Sequence, residues 1–88
     1  MLKELGIALK MQQCYNSVKG LYGDGFTKAM SEYKDIIKGA MIKHKLTSAL
    51  EATMQVIKEA KNEYGSDMFT LKMLAACFDL IENDKYGK

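Results

Sequence analysis

Side-chain catalysis needs groups that converge, and this chain of 88 residues offers few of them. His44 is the sole histidine, and Cys14 and Cys77 are the two thiols. A cysteine beside an imidazole can act as a nucleophile activated by its base. His44, however, falls in an apolar stripe next to Ala40 and Met41, near the end of its segment, where an imidazolium would favour a helix dipole. Both cysteines also fall on apolar faces, which reads as packed, reduced thiols rather than a disulfide framework. A zinc site needs several ligands at short spacings, and positions 14, 44 and 77 supply none. Glu59 and Glu63 stand one helical turn apart, as paired carboxylates would, but they share their face with Lys58 and Asn62 and read as solvated. Gly23-Asp24-Gly25 is too short to cradle a phosphate or bind calcium, so it reads as a turn. No catalytic residue, metal ligand or cofactor is assigned, and we expect no enzyme.

The elements that would carry these residues are helical. Apolar residues recur at a period of 3.6 throughout, with no sustained strand-like alternation. The spacing predicts an all-α fold of four helices over about 3–22, 26–44, 48–64 and 67–83, either a small bundle or an orthogonal array. Residues 1–84 form one domain in this reading, and 85–88 a frayed tail. Proline is absent and seven glycines punctuate the chain; those at 6, 20 and 39 could allow close helix crossings.

In the first helix Ile7, Met11, Cys14, Val18 and Leu21 make one face, with Ala8, Tyr15 and Tyr22 beside it. In the second, Phe26, Ala29, Met30, Tyr33, Ile36, Ile37, Ala40, Met41 and His44 form the stripe, and Ile42 is out of place on the polar side. The third opens on Ser48-Ala49-Leu50-Glu51, the pattern of a capping box. Its buried side is expected to hold Leu50, Met54, Ile57 and Tyr64, with Ala49, Val56 and Ala60 beside them.

The fourth helix differs. Eleven of the fourteen residues from Met68 to Ile81 are apolar. Leu71, Leu74, Ala75, Phe78 and Ile81 form one face, and Phe69, Met73, Ala76 and Leu80 a second. Lys72, Asp79 and Asn83 leave only a narrow polar strip. A helix apolar nearly all round is buried nearly all round. Two solutions are open: Leu2, Leu5 and Leu9 cover the second face from within the chain, or another chain does. The second solution is preferred, with Phe69, Met73, Ala76, Leu80, Leu2, Leu5 and Leu9 as the interface.

All thirteen basic residues are lysine, with no arginine, and the net charge is only +2. Arginine is the usual tool for bidentate phosphate and base recognition. A specific nucleic-acid reader is therefore not expected, although Lys34, Lys38 and Lys45 form a candidate basic patch on the second helix, and non-specific nucleic-acid binding through it is a third reading, ranked below the two given next. No run of apolar residues reaches the length of a membrane span. Glu4 and Lys10 break up any apolar leader, so the reading is cytoplasmic.

Together these features predict a non-enzymatic regulatory or accessory protein that works by protein–protein contact, either as a homo-oligomer or by inhibiting a partner. In size and style the chain resembles short helical inhibitors from bacteria and phage. The alternative is a small-molecule or nucleotide binder whose pocket is lined by tyrosines and methionines, formed either within the chain or at a subunit boundary.

Overall fold

The computed structural model describes residues 2–60 and 67–84, with the side chains of all of these except 2–5 and 67. The fold is all-α. Helix α1 spans Leu2–Tyr22, α2 Phe26–Lys43, α3 Ala49–Ala60 and α4 Asp67–Glu82. Residues 61–66, onto which the predicted end of the third helix runs, and the tail at 85–88 lie outside the described residues.

Local chemistry accounts for the ends of the elements. Gly23 takes a φ of +55°, the left-handed conformation that glycine adopts without a Cβ penalty, and it opens the short 3₁₀ turn Gly23–Gly25 between α1 and α2. At the end of α2 the Leu46 N–H donates to the Met41 carbonyl and the Lys45 N–H to that of Ile42. This paired 6→1 and 5→2 arrangement is a Schellman motif, with Leu46 folded back onto the core. Its left-handed residue is Lys45, at φ +54°, where glycine is the usual occupant. Helix α3 begins as its sequence predicts: the Glu51 N–H donates to the Ser48 hydroxyl at 3.3 Å.

Helix α4 is the centre of the molecule. Residues 73–77 are five consecutive buried positions, more than one full turn, so no side of this helix faces solvent there. Helices α1, α2 and α3 each pack against it. Met11, Cys14 and Val18 come from α1; Phe26, Met30, Ile37, Ala40 and Met41 come from α2. Leu21, expected in the α1 face, instead stands 66% exposed, and Ala8 is exposed as well. The Ile42 side chain does project into solvent from α2.

Helix α3 is rotated relative to expectation. Its buried seam is Ala49, Ala52, Thr53 and Ala60, while Leu50, Val56 and Ile57 pack at the margins and Met54 is 46% exposed. The seam residues are small, which allows α3 to lie close against both α2 and α4. Thr53 fits there because its hydroxyl donates to the Ala49 carbonyl at 2.7 Å, leaving no buried polar group unpaired. The glycines at 6, 20 and 39 do not serve as crossing points, for a Cβ at any of them would meet no atom within 4 Å.

Candidate functional site

The expected interface on α4 is not a surface. Met73, Ala76 and Leu80 are fully buried within the single chain, and Phe69 is half-buried against the core. The physical reason is the central position of α4: its second apolar face is covered by neighbouring helices rather than by another copy. Leu9, offered as part of that cover, is 55% exposed on α1. The side chains of Leu2 and Leu5 lie outside the described residues.

The polar strip of α4 is likewise turned inward, to the helices beside it. The Lys72 ammonium stands 5.2 Å from the ring centre of Tyr22 on α1 and 5.7 Å from that of Tyr33 on α2. Asp79, buried, pairs with Lys34 of α2 at 2.7 Å, and Asp84 lies 3.5 Å from the same ammonium. The Asn83 amide donates to the Asp79 carboxylate and, at 3.4 Å, to the Tyr15 hydroxyl on α1. Partial burial works to lower the Lys34 pKa, but the hydrogen bond and charge of Asp79, joined by Asp84, outweigh it and hold the pKa above its ordinary value.

These contacts also bear on the three lysines of the candidate basic patch. Lys34 is engaged by Asp79 of α4 and by Asp84 just beyond it, Lys38 is half-buried and engaged, and Lys45 sits in the left-handed cap beyond the end of α2. Among the described residues, several of the tyrosines and methionines weighed as a pocket lining are packed in or against the core. Tyr15 stacks edge-on against Phe26 with ring centres 5.1 Å apart, and lies as near to Phe78. Tyr33 packs on Phe69, and Met11, Met30, Met41 and Met73 are core.

The groups weighed for chemistry are placed as follows. Cys14 and Cys77 are buried free thiols. Burial raises both pKa values; Lys10 opposes this at Cys14 and the Thr53 hydroxyl opposes it at Cys77. A thiol held protonated is a poor nucleophile. His44 caps the C-terminus of α2, with its Nε2 3.7 Å from the Glu59 carboxylate. Glu59 also accepts from the Gln55 side chain, so it is a structural acceptor between α2 and α3. Glu63, its predicted partner, lies outside the described residues. Among the described residues no cluster of three or more His, Cys, Asp or Glu could hold a metal ion.

What the structure exposes instead is a groove. Helices α1 and α3 both lie on α4, but among the described residues no Cα of one comes within 8 Å of a Cα of the other. Between them an open cleft of about 240 Å³ is lined by Ile7 and Lys10 of α1, Met54 and Ile57 of α3, and Thr70 and Leu74 of α4. Its sequence signal was present but misassigned: Met54 and Ile57 were counted as core, because large apolar residues outrank alanine and threonine in any hydrophobicity-based choice of face.

No known protein family, curated protein or solved structure matches the chain. No helix among the described residues is long and apolar enough to cross a membrane.

Proposed function

We propose that the protein is a non-enzymatic interaction module, of a regulatory or accessory kind, whose contact surface is the α1–α3 groove rather than the second face of α4. The observation that carries this reading is the separation of the α1 and α3 backbones, which leaves Met54 46% exposed in a cleft that it lines together with Ile7, Ile57 and Leu74. Partly exposed apolar side chains around a preformed depression are the usual anchor sites of protein–protein contacts. The suppressed thiols and the pairing of His44 with Glu59 support a reading without catalysis.

The groove favours a protein partner over the small-molecule alternative on size alone. Small-molecule sites usually enclose roughly 300–1,000 Å³ and surround most of the ligand, whereas this cleft is about 240 Å³ and open. It suits one or two side chains of another protein.

Affinity capture with the wild-type chain and with Met54→Glu, run side by side, tests the proposal. Met54 is half-exposed, so the variant is expected to keep its helical circular dichroism, and with that checked a protein retained by the wild type and lost by the variant supports the groove. Identical captured sets for the two chains remove it. Light scattering over a range of concentrations identifies self-association, and a dimer abolished by Met54→Glu would make the partner a second copy.

A further inference from the structure

We propose that the groove is built for an acidic amphipathic segment of a partner protein: an apolar side chain enters between Met54 and Leu74, and carboxylates beside it meet Lys10 and Lys58. This rests on the groove being the working surface, and it adds the chemistry of what binds there.

The charge around the groove carries the inference. Lys34 is engaged with Asp79 and Asp84, Lys72 with the rings of Tyr22 and Tyr33, and Lys19 with that of Tyr15, while the exposed Lys28 and Lys43 stand on α2, outside the groove lining. Lys10 belongs to the groove lining itself. Lys58 follows Met54 by four residues and so lies on the same side of α3, one turn further on. No ion pair among the described residues involves Lys10 or Lys58. The acid that adjoins Lys58, Glu59, is held on the other flank of α3 by Gln55 and His44.

Glu51, one turn before Met54, is exposed and fixes the polarity of the site. The partner's carboxylates belong at the Lys58 end of α3, away from Glu51. Two rim lysines of this kind act more on selectivity and encounter than on total affinity. The apolar anchor in the groove supplies the attraction, and the lysines decide which sign of segment is accepted.

The methionines provide the readout. With ¹³C-labelled methyl groups, Met54 reports on the groove, and the fully buried Met30 and Met73 report on the integrity of the fold. The probes are two designed amphipathic peptides with leucines at helical spacing, one flanked by glutamates and the other by lysines at the same positions. The expected result is a Met54 shift with the acidic peptide, Met30 and Met73 unmoved, and binding roughly fivefold to tenfold tighter than the basic peptide. Raising the salt concentration should shrink that preference. The exposed double variant Lys10→Glu/Lys58→Glu should reverse it, and this gain of binding to the basic peptide cannot come from loss of fold.

Equal binding of the two peptides at Met54 overturns the charge inference and leaves the groove reading standing. No Met54 shift with either peptide at millimolar concentration, with Met30 and Met73 native, overturns both. A Met54 shift produced more readily by decanoate than by the acidic peptide overturns the peptide assignment in favour of a small anionic amphiphile.

Discussion

The ammonium of Lys34 on α2 lies 2.7 Å from the carboxylate of Asp79 on α4, and both side chains are largely withdrawn from water. Asp79 looks in sequence like one of three solvated positions on an apolar helix. In the fold it is the polar counterpart of the core: Lys34, Asn83 and Tyr15 gather around it and tie α2 and α1 to the C-terminal end of α4. With the acid satisfied on several sides, its burial is tolerated.

Removing one member of this pair should therefore cost more than removing both. Asp79→Ala leaves the Lys34 ammonium partly buried without its main acceptor, and we expect a loss of about 2–3 kcal/mol, below the full range for completely buried pairs because Lys34 keeps some water. Lys34→Met combined with Asp79→Leu should recover most of that loss. Urea denaturation of the single and double variants measures both, and a double variant no more stable than Asp79→Ala refutes the arrangement.

Stability should fall on the alkaline side. Lys34, Cys14 and Cys77 all hold their protons more tightly in the folded chain than their ordinary values of 10.5, 9.0 and 9.0 imply. A raised folded pKa gives stability that is complete below the unfolded value and is lost as pH rises towards the folded one. Thermal melts should thus be flat with respect to these groups through neutral pH and drop above about pH 9, first from the thiols and then from Lys34. Cys77→Ala should flatten the first part of that drop. For the same reason both thiols should react with Ellman's reagent far more slowly in the native chain than in urea.

Two methionine variants separate core from surface. Met73→Glu places a carboxylate in a fully buried site and should unfold the chain, seen as lost helical circular dichroism. Met54→Glu, at a half-exposed site, should change stability by no more than about 0.5 kcal/mol. If Met73→Glu folds normally and instead abolishes self-association, the central placement of α4 is wrong.

Three backbone positions should respond in opposite directions. Gly39→Ala lies inside α2 with open space around it, and should stabilise the chain by about 0.5–1 kcal/mol. Lys45→Gly relieves a left-handed lysine and should stabilise by about 1 kcal/mol. Gly23→Ala forces a Cβ into the left-handed region and should destabilise by about 1–2 kcal/mol. The shifts in melting temperature provide the comparison.

Much of the architecture was legible in the residues themselves. Helix periodicity, the Ser48 cap and the left-handed Gly23 are local matters, decided within a turn or two of chain, and each is found where the spacing puts it. The exposed Ile42 was legible as well. The Lys45 cap was not, because nothing in its residue type announces a positive φ; the Schellman bonds from Leu46 and Lys45 impose it.

What the sequence by itself determined is that four helices form, where α2 and α4 run and where α3 begins, and that the fourth is apolar nearly all round. What only the tertiary structure decided is what covers each side. Periodicity records how much of a helix shuns water, but covering Met73 and Leu80 depends on residues far away in the chain, and here α1, α2 and α3 do it without a second copy. The same limit hid the groove. Whether Met54 or Thr53 faces inward depends on how closely α3 must approach α4, and close approach selects the small side chain over the more hydrophobic one. The separation of α1 from α3, which opens the candidate site, is a distance between elements and is written in no local pattern.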